Sequence, residues 1–334
     1  MGRSDLESAA LDGAGSAIID LGVYGQSRLL NLLERRLAIA EVTEDPWEAS
    51  DIYAMGAWNR AMLGDYDESV RLGFAGRDFA AGQAVGLVGH CLNWAGVSLF
   101  HLGEWDRLLE VFEEIKTLMG ERAEDPPYFM MFVFGAVAFV HDARGMPGAG
   151  RLLDLLERSR GREHMGTVGA SYWLGWTLAR RGEHERAWEV IQDADAAGTK
   201  ILQPFRDAVM ADFLAVTERW QDISAFTNES RAYASDAQLR ALPFHLDRLE
   251  GRASLAGGDV EAGLESLERA RSGFAGLGAT WERARTELDK ADALVRAGRT
   301  DEAAELVQAA GSDIERVGAL IELERLRSLR EQLG

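Results

Sequence analysis

The 334-residue sequence has few of the residues that cross-link or interrupt a chain. A single cysteine, Cys91, excludes an internal disulfide and fits a reducing cytoplasm. Only 6 prolines are present, so long helices can run uninterrupted. The most hydrophobic run, residues 128–140, is shorter than the roughly 20 residues that span a bilayer, and residues 1–15 lack the basic-then-apolar pattern of a signal peptide. We therefore expect a cytoplasmic protein without a membrane partner.

Positive charge is also scarce, and this limits the partners of the chain. The 36 lysines and arginines are outnumbered by 55 aspartates and glutamates, which gives a net charge of −19. Nucleic acid and anionic membrane surfaces are poor partners for such a chain, and we expect neither. The 47% of hydrophobic residues is ample for a folded core, and abundant alanine, leucine, glutamate and arginine favour helix.

A short turn motif recurs about every 39 residues. The clearest copy lies in residues 171–198, where two short amphipathic segments flank the turn at Gly182. One copy lacks glycine and is placed at Glu218 by aligning Trp220 with Trp105, and a fainter copy lies at Gly25. The seven clear turns are Gly64, Gly103, Gly145, Gly182, Glu218, Gly258 and Gly298, with steps of 39, 42, 37, 36, 40 and 40 residues.

A position that was not used to align the turns supports the repeat. Seven residues before each turn the chain carries only Gly or Ala, which lets two antiparallel helices approach closely. The seven residues are Ala57, Gly96, Ala138, Gly175, Ala211, Gly251 and Ala291. A helix pair this short cannot bury its apolar faces alone, so stacked neighbours are required.

Three segments follow from this pattern. Residues 1–44 are predicted to be a partial or irregular repeat, and residues 45–311 a continuous solenoid without linkers. Residues 312–334 are predicted to be a C-terminal capping helix, because residues 314–333 are charged and amphipathic.

The hairpins resemble tetratricopeptide repeats. Residues 64–69 (GDYDES) give the closest turn, and residues 175–187 the closest complete unit. Residues 242–278 and the segment after them resemble the C-terminal helical arrays of bacterial signal-transduction ATPases, including LuxR-type regulators and actinobacterial class III nucleotidyl cyclases. This resemblance implies an all-α, right-handed α-solenoid superhelix of about seven helix hairpins, which acts as a sensory or interaction module. The sequence contains no phosphate-binding loop, so it is either an excised domain or a stand-alone relative.

Motifs for chemistry are missing. The 6 histidines show no metal-ligand spacing, and no nucleophile motif surrounds Cys91. We therefore expect no metal, no cofactor and no enzymatic activity.

The concave face is the predicted binding site, because the first helix of each hairpin lines that face in such superhelices. Its predicted exposed stripe is aromatic in the middle and basic toward the C-terminal end. The stripe residues are Trp58, His90, Asn93, Phe100, His101, Phe132, Phe139, Tyr172, Trp176, Arg180, His245, Arg248, Arg252 and Arg285. Aromatic and arginine side chains anchor many ligands, so we predict a protein or peptide partner, or a small amphiphilic or acidic ligand.

Three alternatives remain open. The aromatic residues could be core, with the arginines paired to Glu250, Glu282 or Asp289. An enzyme could use His101, His141-Asp142 and Arg180, and a strongly shifted histidine pKa in an enclosed pocket would favour it. A structural spacer or dimerisation arm would fill the stripe with its own core.

Overall fold

The computed structural model describes residues 4–82, 85–162, 164–197 and 200–334, with side chains from residue 6 onward. Within these ranges the chain forms 17 α-helices and no strand. The helices pair into hairpins, beginning with α1 (Ser4–Ile19) and α2 (Ser27–Ala40) over the segment predicted to be irregular.

Seven further hairpins follow at the predicted places. They are α3 (Pro46–Leu63) with α4 (Tyr66–Ala80), α5 (Val85–Leu102) with α6 (Trp105–Met119), α7 (Met131–Ala143) with α8 (Ala149–Ser159), α9 (Met165–Arg180) with α10 (His184–Ala196), α11 (Gln203–Val216) with α12 (Ile223–Asp236), α13 (Leu242–Ala256) with α14 (Val260–Gly276), and α15 (Thr280–Arg296) with α16 (Thr300–Val317). The last helix is α17 (Leu320–Leu333), and short 3-10 turns precede α7, α11 and α12. The predicted all-α solenoid is confirmed.

The turn positions are confirmed by the backbone. All six predicted turn glycines have a positive φ, for example 91° at Gly64 and 81° at Gly182. The copy without glycine follows the same rule, since Glu218 has a φ of 54°. Glycine suits this left-handed position because it has no Cβ to clash with the next carbonyl.

The small residues lie where the helices of a hairpin are closest. A Cβ on Gly175 would lie 2.6 Å from Ile191 Cγ1, and a Cβ on Gly96 would lie 3.2 Å from Leu108 Cδ1. Such approaches are shorter than ordinary van der Waals contact. Close packing of each hairpin therefore depends on these positions.

The superhelix is wound tightly enough to contact itself. The first helices stack in sequence, α3 on α5 through to α15 on α17, while α5 also packs on α15 and α3 on α11. Backbone hydrogen bonds close the contact, with the Arg240 N–H donating to the Leu63 carbonyl at 2.9 Å and Gly25 N–H to Ala237 at 2.9 Å. Helix α5 is apolar and long enough to cross a membrane by composition alone, but 78% of it is buried as a core helix.

The predicted capping helix over residues 312–334 is wrong at its start. Gly311 lies inside α16, which continues to Val317. Gly318 then takes a φ of 74° and ends the helix, because a left-handed residue cannot continue it. Only α17 is the separate C-terminal helix, and it packs on α15 and α16.

Candidate functional site

The predicted stripe lies inside the protein, so the prediction that it is exposed is wrong. Tight winding brings the inner faces of the first helices together across the superhelix axis. His90, Arg180 and Arg252 are partly buried. The other eleven are buried: Trp58, Asn93, Phe100, His101, Phe132, Phe139, Tyr172, Trp176, His245, Arg248 and Arg285.

The aromatic members form a continuous core between repeats. Trp58 stacks on Trp94 with ring centroids 5.6 Å apart, and Trp94 lies 5.1 Å from Phe132. Further along the axis, Phe139 lies 4.8 Å from Trp176. Aromatic rings at these distances stabilise a core beyond the apolar area that they bury. For these residues the core alternative is confirmed.

Several polar atoms in this core have no hydrogen-bond partner among the described residues. Buried polar atoms are nearly always paired, so each of these atoms leaves a hydrogen bond unmade in this state. Six of these atoms are nitrogens of aromatic, histidine or asparagine side chains: Trp58 Nε1, Asn93 Nδ2, Trp94 Nε1, His101 Nδ1, Trp173 Nε1 and Trp281 Nε1. The Asn93 amide is only half satisfied, because its Oδ1 accepts a hydrogen bond from Val133 N–H at 3.0 Å while its Nδ2 has no partner among the described residues.

A buried network of ion pairs occupies the basic end of the stripe. Arg248 contacts Asp289 at 2.7 Å and Glu282 at 3.2 Å. Arg285 contacts Asp212 at 2.6 Å and Glu282 at 3.1 Å. Pairing with Glu282 and Asp289 confirms the alternative proposed for these two arginines.

The network keeps its acids ionised. Burial alone would raise the pKa of Asp212, but Arg285 and Arg248 outweigh it and hold that pKa below its usual value. The pKa of Asp289 is lowered in the same way, because Arg248, Arg325 and Arg252 together overcome the effect of burial. The charged form is therefore the stable one in the fold.

Arg252 differs from its neighbours in this network. Its Nη2 donates to the Ala215 carbonyl at 3.2 Å, and no carboxylate in the described part of the chain lies within ion-pair distance. Burial lowers the pKa of Arg252. It lines a cavity of about 10 Å³ with Asp212 and His245, which is room for about one water. Arg252 is thus a partly buried cation with no carboxylate of the described residues within 4 Å, although the charges of Asp289 and Asp212 act on it from farther away.

His101 lines a second small cavity of about 30 Å³ between α3–α5 on one side and α11 and α13 on the other, and His245 also lines it. Burial lowers the pKa of His101 to about 3, and its ring stacks on Tyr66 at 4.6 Å. This shift meets the condition that was set for the enzyme alternative. A cavity of this size holds only two or three waters, so it has no room for a substrate in this state.

The other residues of the enzyme alternative lie apart from His101. His141 lies on the outer side, where its Nδ1 is 3.2 Å from the Pro147 carbonyl. Asp142 contacts Arg181 at 3.7 Å, and Arg180 binds the Glu322 carboxylate at 2.7 Å. None of these contacts involves His101, although the Arg180 charge acts on Asp142.

Comparison with known proteins supports the fold class. No protein-family model and no curated protein sequence matches this chain. Among solved structures, the chain is similar to that described as "Crystal Structure of Rap Protein Complexed with Competence and Sporulation Factor", with a TM-score of 0.51 and 12% identity over 98% of each chain. The class is thus a TPR-like helical-repeat solenoid. At this identity the likeness shows the fold alone, and it leaves the LuxR-type or cyclase resemblance unconfirmed.

Sequence reasoning missed Asp212 and Glu322, the acids that pair with the stripe arginines, and Trp94, Trp173 and Trp281 in the core. One signal was available, since α5 and α7 are apolar around their whole circumference. A helix that is hydrophobic on every side is buried on every side, which would have predicted a filled axis.

Proposed function

We propose that this protein is a non-enzymatic, cytoplasmic regulatory scaffold that binds an acidic peptide on the inner face of its superhelix and takes the closed state described above when no peptide is bound. The observation that carries the proposal is the set of six unpaired buried nitrogens along the aromatic core. Peptide carbonyls are acceptors of the kind that these nitrogens lack, and extended peptides present them at regular intervals.

The basic end of the inner face supports an acidic ligand. Arg252 has no carboxylate of the described residues within 4 Å, so it can pair with a ligand carboxylate without breaking a direct ion pair. A charge-assisted hydrogen bond of this kind contributes about 1.5–3 kcal/mol. The resemblance to bacterial signal-transduction arrays supports a role in a bacterial signalling or transcription-regulation system, and the similar Rap structure was solved in complex with a factor.

The binding test uses a randomised hexapeptide pool and native mass spectrometry of the purified protein. We expect retained 1:1 peptides that combine aromatic or aliphatic residues with Asp or Glu. Arg252→Gln keeps a donor for the Ala215 carbonyl but should weaken binding by about tenfold or more. The matched control is Arg296→Gln on α15, whose side chain is 79% exposed. Absence of any retained peptide at about 1 mM, or equal binding by the Arg252 variant, would refute the proposal.

A purely structural spacer is the second candidate, and the filled axis favours it. It predicts that no peptide binds and that the core stays closed in every condition. The same experiment therefore separates the two functions.

A further inference from the structure

A groove on the outer side of the superhelix combines an apolar floor with a cationic rim. It lies between α6, residues 120–128, α7 and α8, and we call it the lateral groove. Its larger cavity measures about 240 Å³, against the 30 Å³ of the cavity beside His101. One water needs a cavity volume of about 10–15 Å³, so the lateral groove is large enough for a small molecule.

The floor of the lateral groove is apolar and fixed. Phe112 and Phe134 are both buried and meet edge to face, with ring centroids 5.0 Å apart. Leu155 is buried beside them, and Leu152 is half-buried on the same helix, α8. A rigid apolar floor of this kind suits an alkyl chain, because burying each CH₂ group contributes about 0.8 kcal/mol.

The rim carries three cations, two of which pair with carboxylates in the open. Lys116 lies 5.4 Å from the centroid of the Phe112 ring and pairs with the exposed Glu113 at 2.7 Å. Arg151 pairs with Glu124 in the open, where both side chains are mostly exposed. Arg158 is exposed and has no ion pair or hydrogen bond with the described residues. This local excess of positive charge stands out on a chain of net charge −19.

Arg158 lies where the apolar part of the lateral groove meets a more polar part. A smaller cavity of about 70 Å³ continues the larger one, and Leu155 and Arg158 line both. The smaller cavity is more polar, since Ser159 and Arg162 also line it. Arg162 donates to the Tyr128 hydroxyl at 2.9 Å and lies 3.9 Å from Asp125, so its ion pair is weak. An apolar cavity thus leads into a polar one, with Arg158 at the junction and Arg162 in the polar part.

We propose that the lateral groove binds a medium-chain fatty acid, with the carboxylate at Arg158 and Arg162 and the alkyl chain over Phe112 and Phe134. Arginine pairs with carboxylates through two parallel hydrogen bonds, and Arg158 is free to do so. The exposed pairs of Lys116 and Arg151 contribute little and leave the rim open to an incoming anion. This site is separate from the inner face and does not depend on Arg252.

Isothermal titration calorimetry with decanoate tests the site. We expect 1:1 binding by the wild-type chain. Arg158→Gln, which breaks no contact of the fold, should weaken binding by about tenfold or more, because it removes a charge-assisted hydrogen bond. Leu152→Gln should also weaken it by polarising the floor, and Arg296→Gln is the control with an equal change of charge. Far-UV circular dichroism checks that each variant is folded.

Two further ligands test whether the groove recognises the carboxylate and whether a peptide competes for the same site. Decanol has the same chain without the carboxylate and should bind at least about tenfold more weakly than decanoate. A short peptide with an aromatic residue and an aspartate should not displace decanoate. The proposal fails if decanoate does not bind, if decanol binds equally well, if Arg158→Gln has no effect, or if the peptide displaces decanoate.

Discussion

Glu322 is the residue whose replacement should most disturb the closed superhelix. It lies on α17 and is only 1% exposed. Its carboxylate accepts hydrogen bonds from Arg180 Nη2 at 2.7 and 2.8 Å, across 142 residues of sequence, and lies 3.6 Å from Arg285 Nε. Arg180 has no other ion pair among the described residues, whereas Arg285 keeps Asp212 and Glu282. We predict that Glu322→Gln destabilises the fold mainly by leaving Arg180 without its counter-ion.

The expected loss follows from the cost of an uncompensated buried charge. Removing one partner of a buried ion pair destabilises proteins by about 3–5 kcal/mol. The low end applies here, because the glutamine amide oxygen still accepts one hydrogen bond and the Arg180 guanidinium lies 5.5 Å from the centroid of the Phe139 ring. A loss of about 3 kcal/mol is a large share of the roughly 5–15 kcal/mol that stabilises a typical domain.

Urea unfolding monitored by far-UV circular dichroism gives the free energy of unfolding. Glu324→Gln is the matched control, because Glu324 is exposed on the same helix and makes no ion pair with the described residues. It should change stability by less than about 0.5 kcal/mol. A double variant with Arg180→Met should be less destabilised than the sum of the single variants. A loss below about 1 kcal/mol for Glu322→Gln would show that this pair does not hold the superhelix closed.

Three further predictions concern the repeat and its buried histidine. Glu218→Gly should stabilise the protein by about 0.5–1 kcal/mol in urea unfolding, because glycine relieves a positive φ of 54°. Gly175→Ala should destabilise it by about 1–2 kcal/mol because the Cβ would lie 2.6 Å from the facing helix, whereas Gly13→Ala, with nothing within 4 Å, should stabilise it by about 0.5–1 kcal/mol. The pKa of His101 falls from 6.5 to about 3 on folding, so the neutral ring is favoured and its contribution, complete above pH 6.5, is lost as the pH falls. Unfolding at pH 7 and pH 5 should show about 2 kcal/mol less stability at pH 5 from this group, and His101→Phe should reduce the loss between the two pH values by that amount while the exposed-site control His184→Gln leaves it unchanged.

The local architecture was predictable from the sequence because it depends on local chemistry. A turn needs a residue that tolerates positive φ, and a hairpin needs a small residue at its closest approach, so both requirements recur with the repeat. Glu218 shows how far this holds, since the alignment of Trp220 with Trp105 placed a turn where the expected glycine is missing and the backbone has the same conformation. Gly318 was missed because its break falls outside the repeat and no matching copy marks it.

The filled axis was not predictable from the repeat, because it depends on how small rotations between hairpins add up along the stack. Trp105 and Trp281 have ring centroids 4.7 Å apart although 176 residues separate them in sequence. Neither residue's surroundings in the sequence show that the other is near. An open superhelix and a closed one share the same hairpins, so the same stripe residues line a groove in the open form and pack in the core of the closed form.

Because an open and a closed superhelix differ at the inner face, one experiment can test both the role of Glu322 in closure and peptide binding at that face. In the closed state the cavities beside His101 and Arg252 measure about 30 and 10 Å³, so a peptide can bind only after the superhelix opens. Apparent affinity then falls by the fraction of molecules that are open, and about 3 kcal/mol of closing energy corresponds to a factor of about 150. Glu322→Gln should therefore bind a selected peptide up to about 150-fold more tightly while it unfolds at lower urea, and Glu324→Gln should change neither. Lower stability with unchanged peptide affinity would separate closure from binding and would leave Glu322 a purely structural residue.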